Sequence, residues 1–376
     1  MAEVEGTFDD RFAAVRDALS ANLDSGADVG ASVAVVLDGE PVVDIWGGSI
    51  DEAGQHPWER DTIINVWSTT KTMTFVCALM LADRGELDLH APVARYWPEF
   101  AANGKDGIEV RHLLSHSAGL SGWQEPMAEE DLYDWELATS RLAAQAPLWE
   151  PGTASGYHAI TQGYLIGEVV RRVTGESIGT FFAKEVAGPL GADFHIGLDA
   201  EHDDRVALVT PPPPLEIPDA PSEVVSKTFT NPMLRAAQSW EIPWRRAEIP
   251  AAGGHGNARS VAAVQAVIAC GGEVGGTRLL SEAGCHRIFE EQSNGTDLVL
   301  GVPIRFGMGY GLPSDLLPLG PNPNTCFWGG WGGSLVLVDL DARLVISYVM
   351  NRMGAGTLGD ERGLSIAAAA YSSLLG

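Results

Sequence analysis

Ser68-Thr69-Thr70-Lys71 heads the apolar run Thr72-Met73-Thr74-Phe75-Val76-Cys77-Ala78-Leu79-Met80-Leu81-Ala82. The run reads as a helix, and a spacing of three is close to one helical turn. Ser68 and Lys71 therefore share a face. A serine hydroxyl is a weak nucleophile until something takes its proton. A lysine one turn away can take it once burial disfavours its charged form. The helix N-terminus also favours negative charge developing near Ser68. The tetrad by itself is a weak signal, because Ser-x-x-Lys arises by chance on many surface helices.

Three further segments give it context. One is Trp149-Glu150-Pro151-Gly152-Thr153-Ala154-Ser155-Gly156-Tyr157-His158-Ala159-Ile160, a Pro-Gly turn that passes through a tyrosine into a periodic helix. Another is Leu113-Leu114-Ser115-His116-Ser117-Ala118-Gly119-Leu120. The last is Phe327-Trp328-Gly329-Gly330-Trp331-Gly332-Gly333-Ser334, which leads into the strand-like Leu335-Val336-Leu337-Val338-Asp339. In this order and at these separations the chain resembles the serine β-lactamase and penicillin-binding-protein superfamily. Within it, the chain looks most like the class C-like esterases, the family VIII carboxylesterases. The resemblance runs from about residue 10 to residue 375.

The resemblance implies an α/β (α+β) fold of the β-lactamase type. An antiparallel sheet is flanked by helices, a mostly helical domain is inserted beside it, and the active site lies between them. The expected sheet domain is 1–67 with 250–376, and the helical domain with long loops is 68–249. Ser68 matches the family nucleophile and Lys71 its helical partner. Tyr157 matches the tyrosine that acts with the lysine as general base and later as acid. A phenol beside an ammonium is expected to ionise more readily than a free one. Ala159 stands where the family motif has an asparagine that grips lactam substrates. Trp328-Gly329-Gly330 occupies the place of the Lys-Thr-Gly motif, so the cationic anchor for a substrate carboxylate is gone. The two glycines would let the backbone approach the acyl group. The backbone N–H groups of Ser68 and Trp331 are the expected oxyanion hole.

Other candidates carry less. His158 either lines the cleft or points away from it. Gly254 and His255 lie in a Gly-rich loop that opens a helix, read as a cleft edge in functional contact. That loop lacks the lysine of a phosphate cradle. His112 and His116 have a spacing of four, but no glutamate follows His112, so the zincin pattern is absent. There is no Gly-x-Ser-x-Gly elbow to support an α/β-hydrolase.

Local patterns outline the rest. Asp9 to Asn22 has helical periodicity, and Leu364 to Leu375 reads as a closing Ala-rich helix. Ala31 to Leu37 and Pro41 to Ile45 flank Asp38-Gly39-Glu40, a hairpin signal; Ser334 to Leu340 and Leu344 to Met350 flank a second one at Asp341-Ala342-Arg343. The tract Pro211-Pro212-Pro213-Pro214 excludes helix and central strand, and the stretch from it to Trp244 is expected to wrap the surface or rim the cleft.

The chain carries 24 basic and 50 acidic residues, a formal net charge of −26. That excess argues against nucleic-acid and anionic-membrane partners, which need basic patches. Cys77, Cys270, Cys285 and Cys326 form no C-x-x-C pair. The N-terminus shows neither a basic segment nor an apolar core of a signal peptide, so a cytoplasmic location is expected. The function expected is a serine hydrolase that cleaves short-chain carboxylic esters through an acyl-enzyme on Ser68, without metal or cofactor. Its partner is a small-molecule ester, and the oligomeric state stays open. Trp123, Trp149, Trp328 and Trp331 are expected to make an aromatic cleft, with Trp328 and Trp331 limiting acyl chains to about C6–C8. The alternatives are acyl transfer to a secondary metabolite, or amidase or weak β-lactamase action, on the same fold.

Overall fold

Among the described residues fourteen strands follow in order: β1 Val4–Phe8, β2 Gly30–Leu37, β3 Glu40–Gly48, β4 Ile64–Asn65, β5 His195–Ile196, β6 Gly254–Gly256, β7 Glu273–Val274, β8 Thr277–Arg278, β9 Ser293–Thr296, β10 Pro303–Phe306, β11 Gly311–Leu312, β12 Thr325–Gly329, β13 Leu335–Asp339 and β14 Leu344–Met350. They are seen in a computed structural model that describes residues 2–213 and 220–375. Nine of them form one sheet in the order β1-β3-β2-β14-β13-β12-β11-β10-β9, with every neighbouring pair antiparallel. The antiparallel sheet expected from the sequence is therefore present.

Central strands β2, β13 and β14 are apolar almost without alternation, because both faces are buried. The helices Ala13–Asp24 and Glu361–Leu375 pack on each other and on the sheet, while Ala258–Ala269 packs on β2, β13 and β14. Ser32 of β2 faces this last helix, accepting a hydrogen bond from Ala258 N at 3.1 Å. Both hairpins form where the turn residues indicated. Asp38 and Gly39 both have positive φ (51° and 82°), the signature of a type I′ turn that suits strand twist.

The helix Thr70–Asp83 is buried on every side as far as Leu81. A helix apolar all round belongs in the interior, and this one runs between Thr161–Thr174, Ile178–Phe182 and Glu282–His286. Its start is tied to the small sheet β4-β6-β5. β5 lies within 68–249 and pairs with β6 outside that stretch. Of the proline tract, Pro211 to Pro213 lie in neither helix nor strand, and Pro214 lies outside the described residues.

Candidate active site

β4 runs through Val66 into the 3-10 turn Trp67–Thr69, which carries Ser68, and from there into the helix Thr70–Asp83, which carries Lys71. The change of direction is made at Trp67, whose φ of 49° is left-handed. Bulky residues rarely adopt that region, and it costs roughly 1–3 kcal/mol. The indole is held in compensation: its ring lies 5.5 Å from that of Trp244 and 4.9 Å, edge-on, from that of Trp331. Val66 is clamped from both sides. Its N–H donates to Gly254 O at 2.9 Å, and its carbonyl accepts from Ser334 Oγ at 3.0 Å. Ser68 is thus presented from a fixed backbone.

Lys71 is fully buried. Its Nζ lies 2.7 Å from Ala159 O, 3.0 Å from Ala251 O and 3.1 Å from Ser68 Oγ. Burial holds its pKa well below the ordinary lysine value. A neutral amine has two hydrogens and one lone pair. With both hydrogens on the two carbonyls, the lone pair faces Ser68 and can accept its proton.

Tyr157 approaches the same oxygen from the other side, its O–H donating to Ser68 Oγ at 2.6 Å. The Tyr157 N–H donates to Asp297 Oδ1 at 3.0 Å, and that carboxylate oxygen also accepts from Val299 N and Leu300 N at 2.9 Å. Behind the phenol ring lie His116, at 5.0 Å between centroids, and Trp328, at 5.8 Å. Burial raises the Tyr157 pKa above the usual tyrosine range, and the hydrogen bond with Ser68 opposes that only in part. The expectation of an easily ionised phenol is therefore corrected. Its neighbour is a lysine that burial keeps from charging, and desolvation outweighs the rest.

Ser68 and Tyr157 open onto a cavity of about 400 Å³. Its wall includes Trp67, Trp331, Pro211 to Pro213, Phe229, Met233 and Leu234. Among the described residues no charged side chain lines it. Pro211 to Pro213 rim the cleft, as one of the two sequence readings had it.

Several expected contacts are displaced. Trp328 is fully buried in a cluster with Tyr157, Val299, Ile304 and Phe306, so it backs the tyrosine and does not touch the cavity. Trp123 is buried with its indole N–H on Ala138 O, and Trp149 donates to Ala154 O; neither lines the cavity. A Cβ on Gly329 would lie 2.4 Å from the main chain at Leu358, and one on Gly330 2.4 Å from Val66 O. These glycines permit backbone-on-backbone packing, not approach to an acyl group.

His158 is buried with both ring nitrogens engaged: Nε2 accepts from Leu120 N at 3.0 Å and Nδ1 pairs with Gly156 O at 2.6 Å. It points away from the cavity. His255 is buried against Gly253 O, and Gly254 packs its Cα against Phe194 and Thr70. Burial pushes both histidines down to about 3. Residues 254–256 are thus a strand behind the serine, where a cleft edge was expected.

The sequence reading missed Trp67, Asp297, and the wall made by Phe229, Met233 and Leu234. Only the proline tract signalled that wall. Asp297 sits 140 residues from Tyr157 with no motif around it. All four cysteines are unpaired and buried. Among the described residues no three His, Cys, Asp or Glu side chains converge as metal ligands would, and no helix is long and apolar enough to cross a membrane.

Comparison with known proteins identifies the fold and the family. The sequence model of the beta-lactamase family matches residues 15–371. The crystal structure of a family VIII carboxylesterase superposes with a TM-score of 0.94 at 44% identity, covering 99% of this chain and 100% of that one. A penicillin-binding protein homologue from Caulobacter crescentus superposes with a TM-score of 0.93 at 38% identity, covering 99% and 100%. The esterase/beta-lactamase LipL of Mycobacterium tuberculosis is 37% identical over 365 residues, 93% of this chain and 83% of its own length.

Proposed function

The chain belongs to the beta-lactamase family, and from that premise we propose that it is a serine carboxylesterase acting on small neutral esters. The observation that carries this reading is Ser68 Oγ held between Tyr157 OH at 2.6 Å and Lys71 Nζ at 3.1 Å, at a cavity that no charged side chain lines among the described residues. Likeness to a family VIII carboxylesterase supports it.

Ser68 Oγ attacks the ester carbonyl and its proton passes to the Lys71 lone pair. The backbone N–H groups of Ser68 and Trp331 hydrogen-bond the oxygen that gains charge, an effect worth roughly 10²–10³ in rate per donor. Tyr157, kept protonated by burial, gives its proton to the departing alkoxide and is restored from the Lys71 ammonium. Water then replaces the alcohol and the same transfers run in reverse. The acid is released and Ser68 regains its proton. No step calls for a metal or cofactor. The four buried, unpaired cysteines suit a reducing compartment such as the cytoplasm.

The cavity wall supports esters over lactams. A carboxylate entering it would lose water and meet no cation. A missing charge-assisted hydrogen bond, about 1.5–3 kcal/mol, weakens such substrates roughly ten- to a hundred-fold. With Trp328 outside the cavity, only Trp331 of the expected pair narrows it, and the expected acyl limit loses half its basis.

The test compares kcat/KM for p-nitrophenyl butyrate with that for benzylpenicillin and a cephalosporin, in the native protein and in Ser68→Ala. Ester turnover should dominate and vanish in the variant, and a serine-reactive phosphonate should label Ser68 alone. Near-native turnover by Ser68→Ala would remove the nucleophile. Lactam turnover equal to the ester's would replace the esterase by a β-lactamase.

A further inference from the structure

The turn between β12 and β13, which carries Trp331, is built almost without side chains. Gly332 and Gly333 have φ of 95° and 128°, regions that L-residues avoid. A glycine turn has little rigidity of its own, yet the proposed oxyanion hole needs the Trp331 N–H fixed to a fraction of an ångström.

The turn is held from outside. Gly332 N donates to Gly356 O at 2.8 Å, and Gly332 O accepts from Gly354 N at 2.7 Å. The same carbonyl accepts from Arg362 Nη2 at 2.6 Å. Arg362 lies in the first turn of the helix Glu361–Leu375, and its side chain is only 11% exposed. Its remaining donors are all engaged. Nη1 binds Asp28 Oδ1 at 2.8 Å, Ala27 O at 3.1 Å and Arg352 O at 2.7 Å; Nε and Nη2 hold Asp360. Asp28 is pinned in turn by Tyr348 OH of β14, at 2.7 Å and 2.8 Å to its two oxygens. A Cβ on Gly333 would lie 2.5 Å from the guanidinium, so the turn lies flat against it.

We propose that Arg362 is a positioning residue: its guanidinium ties the glycine turn bearing the Trp331 N–H to the central sheet and the terminal helix. This rests on the reading of Ser68 and Trp331 as the oxyanion hole. Five donors in one plane bridge four chain segments, which a lysine ammonium with three donors cannot do. The effect is felt where charge develops on the substrate oxygen, hence in the transition state and not in ester binding.

Two variants test it. Arg362→Lys keeps the buried charge, and so the fold, but loses the fork. Asp28→Asn with Arg362→Met removes the two most buried charges together and leaves only the partly exposed Asp360 without its cation. Three readings are taken with each: kcat and KM for p-nitrophenyl butyrate, the affinity of an alkylboronic acid that forms a tetrahedral adduct on Ser68, and the melting temperature. Both variants should lose about ten- to a hundred-fold in kcat, with KM within about threefold, since misplacing a catalytic group by an ångström costs on that scale. Boronic acid affinity should fall by the same factor, while the phosphonate still labels Ser68.

Unchanged kcat and boronate affinity in a folded variant would overturn the proposal. So would losses that merely track the folded fraction. If Ser68→Ala itself stays active, the reading of the site fails instead, whatever Arg362 does.

Discussion

Lys71 and Lys105 are the same side chain in nearly the same situation. Both are fully buried. Lys71 Nζ meets two main-chain carbonyls, Ala159 O and Ala251 O; Lys105 Nζ meets Ala102 O at 2.6 Å and Gln145 O. Each also lies over an aromatic ring, Tyr157 at 4.8 Å and Phe100 at 5.4 Å. Burial lowers both pKa values, that of Lys105 to about 8. The third direction differs. Beyond Lys71 stands Ser68 Oγ, then Tyr157 OH and an open cavity. Beyond Lys105 there is a helix end and a loop, which it ties together. A depressed lysine is thus a common result of burial, and chemistry depends on what its lone pair faces.

The strongest way to break the comparison is to remove the two amines in parallel. Lys71→Ala should lower kcat by at least about 10²-fold, the scale of lost acid–base assistance. Tyr157→Phe should do the same. The double variant should be little worse than either single one, because groups that act as a unit are not additive. Additive losses would mean that the two work separately. Lys105→Ala should leave kcat within about twofold; a loss as large as that of Lys71→Ala would erase the distinction.

The pH profile sharpens it further. The neutral Lys71 amine is the active form, so kcat/KM should climb as pH rises through its lowered pKa. It should stay high until Tyr157, whose pKa is raised, begins to ionise. The acid limb should be missing from the residual activity of Lys71→Ala and present in Lys105→Ala. An acid limb that survives in Lys71→Ala would belong to another group.

Stability carries the smallest and most specific signal. For a lysine depressed by folding, the unfolded chain holds the proton more tightly, so stability rises with pH between the folded and unfolded pKa values. For Lys105 the window runs from about 8 to the ordinary value of 10.5. Lys105→Met should flatten the rise in unfolding free energy across that window. At neutral pH it should cost about 1–3 kcal/mol, as the carbonyls of Ala102 and Gln145 lose their donor. Urea unfolding at several pH values reads both; an unaltered slope would mean that Lys105 is not linked to folding.

Much of the framework was legible from local patterns. The type I′ turn at Asp38-Gly39, the paired strands beside both hairpins and the terminal helices follow from periodicity and turn chemistry, which act between near neighbours. The Ser68–Lys71 spacing made their proximity a matter of helix geometry. Tyr157, 89 residues from Ser68, could be singled out only through the resemblance of its segment to a known family.

What the sequence by itself determined, then, were the two hairpins, the terminal helices, the helix that follows Ser68 and the chemical types available near Ser68. Tertiary structure alone decided which tryptophans face the cavity: Trp67 and Trp331 do, while Trp328 and Trp123 are sealed into the core. It also decided that Asp297 holds the Tyr157 backbone, that Phe229 and Met233 line the same cavity as Ser68, and that Tyr157 is harder to ionise than a free phenol. The physical reason is common to all of these. Burial and desolvation depend on which distant segments meet around a side chain, and neither period nor propensity records that meeting.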